Sequence, residues 1–356
     1  MTHSDSPTAN AVTPDQIRAF RAEHSNMRER DLADKLNISE AQLIAAYCAE
    51  GVTRVGAHPD RIIGTAQTLG EVMALTRNSS CVNEKVGIYD NYHPGNHASM
   101  VLTEDIDLRI FPSHWQHAYM VEKDTDTGMR RSLQVFDAAG DAVHKIFLRD
   151  GSDIAAWDRA RTDLRLDDQS QSLAVEQRQP DEVPKADETK LDLLRKEWAH
   201  MTDTHQFMRL TSKLKMNRLG AYRIAGEPFV RALAPTAVDQ MLHRVAASEL
   251  EIMVFTGNRG CIQIHSGPIT TLKPMGPWQN VLDARFNLHL RLDHIAEVWA
   301  VEKPTQRGPA VSVEAFNADG GLILQIFGVG KEGRDCRPAW GKLVAGLEGL
   351  DTQVPA

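Results

Sequence analysis

The sequence predicts an α+β fold with an internal duplication, giving two similar halves, each with a large antiparallel β-sheet flanked by helices. Three observations predict it. Blocks of sequence recur at a constant spacing, each half opens with helical periodicity and continues with strand-like runs, and a polar stretch separates the halves.

The duplication is the firmest of these. Glu71 to Gly87 (EVMALTRNSSCVNEKVG) aligns with Glu251 to Gly267 (EIMVFTGNRGCIQIHSG), 180 residues later. The same offset aligns Val101 to Lys123 with Val281 to Lys303, and Ser132 to Phe147 with Ser312 to Phe327. Nineteen of these fifty-six positions are identical, without a gap inside a block. Chance gives roughly one match in fifteen to twenty. The halves are therefore expected at residues 14–166 and 190–348. Residues 167–189 (DDQSQSLAVEQRQPDEVPKADET) are acidic and poor in large apolar side chains, which predicts an exposed linker. The first dozen residues and the last few have similarly loose composition.

The elements follow in the same order in each half. Ile17, Phe20, Arg21 and His24, then Leu32, Leu36, Leu43 and Ile44, carry helical spacing in the first; Leu191, Leu194, Trp198 and Met201 carry it in the second. Leu108, Ile110 and Phe111 lie in a β-rich run, followed by Tyr119-Met-Val. Val135-Phe136 and Ile146-Phe147 flank the turn Asp137-Ala-Ala-Gly-Asp, whose twin is Asn317-Ala-Asp-Gly-Gly. Ile154 to Leu164 and Pro338 to Leu347 close the halves as helices. Helices followed by runs of strands mean α+β rather than alternating α/β.

Composition narrows the function. The 356 residues are 42% apolar and 25% charged, as in ordinary globular proteins. A net charge of −8 argues against a general nucleic-acid binder but leaves room for a local basic pocket. No apolar run is long enough to span a bilayer, and the start Met-Thr-His-Ser-Asp-Ser-Pro-Thr has no secretory pattern. Four scattered cysteines, Cys48, Cys81, Cys261 and Cys336, suit a reduced, cytoplasmic protein.

In a duplicated chain the informative positions are those where the copies differ. Asp107-Leu-Arg109-Ile faces Asn287-Leu-His289-Leu, and Met27-Arg-Glu-Arg-Asp31 faces Met201-Thr-Asp-Thr-His205. Asp203 reads as an N-cap completed by Gln206, placing His205 in the first turn of a helix, whose positive end favours the neutral ring that iron or zinc binds. Taken alone, such a histidine is more often a helix-start residue with no ligand. Arg109, between Leu108 and Ile110, points to the opposite face from them. Taken alone, it is a solvent-facing arginine paired with Asp107.

The strings Ile106-Asp-Leu-Arg109-Ile-Phe, Trp198 through Met201-Thr-Asp-Thr-His205-Gln-Phe, and the duplicated Val-Glu-Lys that ends in Pro304 resemble the cytoplasmic haem-handling proteins of bacterial haem uptake, the HmuS/HemS/ChuS family of haemin-degrading factors. The resemblance runs from about residue 15 to about residue 345. It implies stacked central sheets with haem b in a cleft between sheet and helices. It implies that His205 is the axial iron ligand and Arg109 the distal arginine, able to hydrogen-bond a ligand on the iron's other face, and catalytic if the protein is an enzyme. Arg218 and Lys303 match propionate-holding positions. Lys123, the twin of Lys303, reads as a structural strand-end lysine. Phe327 stands where relatives often carry tyrosine. Gly330 falls where a propionate-binding arginine is common, leaving Lys331 or Arg334 to substitute. Phe111, Phe207 and Met208 are candidate apolar walls or core. The function implied is haem uptake for transfer or for oxidative release of iron, with a haem oxygenase or the inner-membrane haem importer as partner.

Other motifs are weaker. His114-x-x-His117 and His93-x-x-x-His97 have metal-like spacing without a third ligand nearby. His200 lies five positions from His205, which turns it away on a helix. Residues 28–46 resemble a helix-turn-helix, the rival reading as a DNA-binding regulator, but Glu40 to Ala46 offers no Lys or Arg to phosphates or bases.

Overall fold

The computed structural model describes residues 12–331 and 333–350. The loose ends expected from composition lie almost wholly outside them. The first half runs α1 (Pro14–Glu23), α2 (Glu29–Leu36), α3 (Glu40–Ala45), β1 (Val52–Val55), α4 (Pro59–Thr68), β2 (Glu71–Arg77), β3 (Cys81–Ile88), β4 (Tyr92–His93), β5 (Ser99–Leu102), β6 (Asp107–Ile110), β7 (His117–Thr125), β8 (Gly128–Phe136), β9 (Ala142–Leu148) and α5 (Ile154–Asp163). The second half repeats the order: α6 (Leu191–Ala199), α7 (Gln206–Leu214), α8 (Arg218–Ala225), β10 (Val230–Leu233), α9 (Ala237–Ala246), β11 (Ile252–Gly257), β12 (Cys261–Gly267), β13 (Leu272–Met275), β14 (Trp278–Asp283), β15 (Phe286–Arg291), β16 (Glu297–Lys303), β17 (Ala310–Phe316) and β18 (Leu322–Gly328). A short hairpin, β19 (Gly330–Lys331) and β20 (Arg334–Asp335), precedes α10 (Arg337–Ala345).

The strands form two nine-stranded antiparallel sheets, and each half lends three strands to the other's sheet. One sheet has the order β1-β7-β8-β9-β2-β3-β15-β14-β13; the other is β10-β16-β17-β18-β11-β12-β6-β5-β4. The exchange runs through the pairs β3–β15 and β12–β6. The strands form because their residues alternate. In β2, Val72, Ala74 and Thr76 are buried while Met73, Leu75 and Arg77 are half-buried. The two matching turns use one device: Asp137 Oδ1 accepts the N–H groups of Ala139 and Asp141, and Asn317 Oδ1 those of Asp319 and Gly321. Gly140 (φ 78°) and Gly320 (φ 91°) supply the left-handed residue of each turn.

The inner faces are closed by α4 and α5 in one half and by α9 and α10 in the other. Where the sheets meet, the contact is polar. Gln263 Nε2 donates to Ala74 O (3.1 Å), Asn83 O (2.9 Å) and Asn83 Oδ1 (3.0 Å), and Thr76 Oγ1 donates to Gln263 Oε1 (3.1 Å). The outer faces are partly roofed, one by α1–α3 and the other by α6–α8.

The linker is extended and mostly exposed, yet tied down along its length. Arg178 pairs with Asp141, Asn317 Nδ2 donates to Asp181, and Asn217 N–H donates to Lys185 O. A Cβ on Gly220 would stand 1.8 Å from Lys185 O, so this crossing requires glycine.

The DNA-binding alternative for residues 28–46 is overturned. Asn37 does make the expected turn, with φ 51°. The would-be recognition helix α3, however, buries Glu40, Ala41, Leu43, Ile44 and Ala45, all but one of its six residues. Ala41 and Ile44 pack on Tyr119, Val121 and Phe136, and Glu40 pairs with Arg77 and Lys145. A helix used this way has no face left for a groove.

Candidate functional site

The helix trio α6–α8 is seated by an aromatic cluster. Trp198 is fully buried, packs at a tilt against Phe207 (4.5 Å) and Phe229 (5.2 Å), and donates from Nε1 to Glu302 O. Phe207, 1% exposed, is therefore core rather than a ligand wall, whereas Met208 is 53% exposed.

The start of α7 differs from the expected capping box. Gln206 reaches one residue further back, accepting from Thr202 N–H (2.9 Å) and donating to Thr202 Oγ1 (3.1 Å). That releases the Asp203 carboxylate to His205: Oδ1 accepts from the backbone N–H and from ring Nδ1, each at 2.7 Å. These two bonds hold the Asp203 carboxyl below its ordinary range. An ionised carboxylate only accepts, so the bonded Nδ1 carries a proton, and in the neutral ring the lone pair lies on Nε2. The His205 side chain is 93% exposed, leaving that lone pair open to a ligand.

Arg218 is the first residue of α8, fixed by Asn217, which accepts the N–H of Gly220. Behind it lies a buried charge cluster. Glu314 is fully buried and accepts from Arg218 (2.8 Å), Lys303 (3.0 Å), Tyr222 OH (3.0 Å) and Ser312 Oγ (2.9 Å). Burial opposes the Glu314 charge, but the two cations outweigh it and hold the carboxyl well below its ordinary value. Burial also opposes the Arg218 charge, and Glu314 outweighs it, holding the guanidinium above its ordinary value. Lys303 was expected to face a propionate. Instead its side chain is 4% exposed, bonded to Glu314 and to Tyr222 OH (2.9 Å), and burial pushes it down to about 8. Arg218, with 22% of its side chain exposed, is the member of the cluster that reaches the surface.

The register carries this face across the sheet to Arg109. Glu314 pairs with Gln325, Gln325 with Phe255, Gly257 with Ile262, and Ile262 with Arg109, so these side chains share one side. Four strand steps of roughly 4.8 Å separate β17 from β6, about 19 Å. Between them the half-buried Phe327, Met253, Phe255 and Ile262 form an apolar floor. Phe327 meets Phe255 edge-on at 5.4 Å. Arg109 is one-third exposed and pairs with Asp107, the bland contact its spacing suggested. Lys331 is exposed on the β19–β20 hairpin, while Arg334 is held by Glu251 and Glu104. Phe111 is half-buried.

The fold thus puts His205, Arg218, Phe327 and Arg109 on one side of one sheet, with Arg109 supplied by the opposite half. Glu314 and Tyr222 escaped the sequence reading. The available signal was an acid between Val313 and Ala315 in an apolar strand. Among the described residues no group of three or more His, Cys, Asp or Glu side chains could hold a metal ion, and no helix is long and apolar enough to cross a membrane.

Comparison with known proteins bears on the chain as a whole. The family model described as the haemin-degrading HemS.ChuX domain matches residues 37–164 and again 215–347. The chain is 35% identical over 351 residues to the hemin transport protein HmuS of Yersinia pestis, covering 96% of this chain and 99% of that one. It superposes on holo-PhuS, a heme-binding protein from Pseudomonas aeruginosa, with a TM-score of 0.89 and 39% identity, covering 95% of this chain and 100% of the other. The Escherichia coli O157:H7 heme degrading enzyme ChuS matches with a TM-score of 0.84 and 32% identity, over 93% of this chain and 97% of that one.

Proposed function

The chain belongs to the haemin-degrading HemS.ChuX family, and from that premise we propose that it takes up imported haem b in the cleft between α7 and the outer sheet face. His205 Nε2 is the iron ligand, Arg218 meets a propionate, and the floor of Phe327, Phe255 and Ile262 receives the porphyrin. The observation that carries this reading is the Asp203–His205 pair: a carboxylate holding the second ring nitrogen fixes the tautomer and aims a ligating histidine. Lys303 acts one step back, helping to keep Glu314 ionised so that Glu314 holds Arg218 in its orientation and charge. Lys331, on the exposed hairpin, offers a second cation at the propionate edge.

Bound haem would supply the oxygen chemistry, and the residues here bind it, orient it and exclude water. Arg109 donates hydrogen bonds to whatever occupies the far side of the iron. We read the protein as a cytoplasmic carrier that passes haem to a haem oxygenase or receives it from the inner-membrane importer. Four free cysteines support that compartment. A degrading activity is the second reading. It is favoured by Arg109 and by the heme degrading enzyme to which the chain is similar.

The test is a haemin titration. The wild type should give the Soret band of a histidine-ligated haem, and His205→Ala should weaken binding or change the band; an unchanged spectrum removes His205 from the site. Incubating the complex with a reductant, O₂ and catalase separates the two fates. Loss of the Soret band with a linear tetrapyrrole product means enzyme, and survival of the band means carrier.

A further inference from the structure

Arg109 does not stand alone at its end of the cleft. Its Nη1 donates to the carboxylate of Asp107, two positions back on β6, and to Leu108 O at 3.1 Å. Side chains two apart on a strand share a face, so the carboxylate lies in the cleft beside the arginine. Their neighbours across the ladder are apolar. Leu102 and Ile264 lie directly opposite Asp107, and Met100 and Ile262 directly opposite Arg109. Among the described residues neither charge has a second ion-pair partner, and Nε and Nη2 of Arg109 bond nothing. Only 18% of the Asp107 side chain and 33% of the Arg109 side chain are exposed.

An unpaired guanidinium on an apolar floor would draw in any anion, by its charge and by its fork of donors. The Asp107 carboxylate cancels that charge within hydrogen-bond reach and leaves the remaining N–H groups free. The far side of the cleft thus offers donors without net charge.

The other copy reaches the same balance with different residues. At the 180-residue offset Asn287 stands for Asp107 and His289 for Arg109, and His289 lines a cavity of about 780 Å³ over the outer face of the other sheet. Asn287 carries no charge. Burial, helped by Arg28 and opposed by Glu84, holds the His289 ring below its ordinary value, so it is neutral near pH 7. Its Nδ1 bonds Asn280 Oδ1 at 2.7 Å. Acid and base are replaced together, and the pair sums to zero charge in both copies.

We propose that Asp107 sets the ligand preference on the far side of the cleft: it occupies the guanidinium of Arg109 and thereby favours neutral ligands over anions. The inference rests on the haem reading above, in which Arg109 faces the open side of the iron. Asp107 acts through Arg109 and is a positioning residue. An anion has to compete with the carboxylate for the guanidinium and to sit near a second negative charge. A neutral ligand meets neither penalty.

The experiment is a spectral titration of the ferric haemin complex of the full chain at pH 7, with fluoride and separately with imidazole. Asp107→Asn has nearly the same shape and removes only the charge. It should bind fluoride about fivefold more tightly than wild type, the worth of a part-exposed ion pair. Its imidazole affinity should stay within about twofold of wild type. Arg109→Ala, which leaves the carboxylate unbalanced, should bind fluoride more weakly than wild type. Fluoride affinity that is unchanged or lower in Asp107→Asn, while Arg109→Ala weakens it, overturns the role of Asp107 and leaves Arg109 opposite the iron. Equal gains for fluoride and imidazole also overturn it, since they report a more open cleft and not a charge. Unchanged fluoride affinity in Arg109→Ala removes that arginine from the iron's far side and takes this inference with it. Absence of a Soret complex in wild type overturns the haem reading itself, and this inference falls with it.

Discussion

Replacing Glu314 with Gln removes one charge and leaves two opposite charges behind. The carboxylate is fully buried and accepts four hydrogen bonds, from Arg218, Lys303, Tyr222 and Ser312. Glutamine keeps one acceptor but turns an NH₂ group toward cations. Orphaning a buried charge costs about 3–5 kcal/mol. The cost falls mainly on Lys303, whose side chain is 4% exposed, because Arg218 at 22% recovers some hydration. The lower end, about 3 kcal/mol, is therefore expected. Urea denaturation, with the midpoint and slope measured separately, reads this loss. The partner substitution makes the reasoning specific. In Glu314→Gln/Lys303→Met no ammonium is left unpaired, so the double variant should be more stable than Glu314→Gln by about 1 kcal/mol or more. Haemin affinity should fall in both, because Arg218 loses its anchor in both. A Glu314→Gln protein within about 0.5 kcal/mol of the parent, or a double variant less stable than the single, refutes the account of this cluster.

Asp203→Ala should leave the fold intact, since its side chain is exposed and the Gln206–Thr202 bonds remain. It should weaken haemin binding about 10–100-fold through a freed His205 ring, and retained affinity would show that the pair does not aim the ligand. Acid should destabilise the protein before its carboxylates titrate. Burial pushes both His144 and His265 from 6.5 down to about 3, with Lys85 adding to the effect at His265. The unfolded chain thus takes up these protons first, so their share of stability is present above pH 6.5 and is lost as the pH falls toward 3. At pH 5 each ring costs about 2 kcal/mol, about 4 kcal/mol together, a value set by the unfolded pKa as long as the folded one lies below 5. A flat stability between pH 7 and pH 5 would contradict it.

Much of this architecture is written in the sequence because its signals are local or repeated. The offset of 180 residues reveals the duplication, the turns at Asp137 and Asn317 reveal the hairpins, and the spacing of Leu191, Leu194 and Trp198 reveals α6. The exchange of strands is not legible. β4–β6 and β13–β15 have the alternation of any sheet strand, and nothing in it states whether β6 pairs within its own half or with β12. Sequence spacing marks where a charged side chain stands more readily than which buried partner holds it. Lys303 carries a cation in the expected place, but a string of residues does not show that Glu314, eleven positions on, already holds it. The capping box was misplaced for a similar reason, since Asp203 and Thr202 both compete for Gln206, and the winner depends on the His205 ring that claims Asp203.

The exchange of strands also explains why the chain keeps both copies. Each outer face is roofed by helices of its own half and completed by strands of the other, so neither cleft belongs to one copy. Cutting the chain in the linker would remove β15 from β3 and β6 from β12, exposing two inner edges with open hydrogen-bonding groups. It would also take Arg109 from the cleft of His205. Tied together in this way, the copies are free to diverge only where the fold does not depend on the residue. Differences at matched positions include Arg109 against His289 on the lent strands, and His205 against Asp31 at the helix starts.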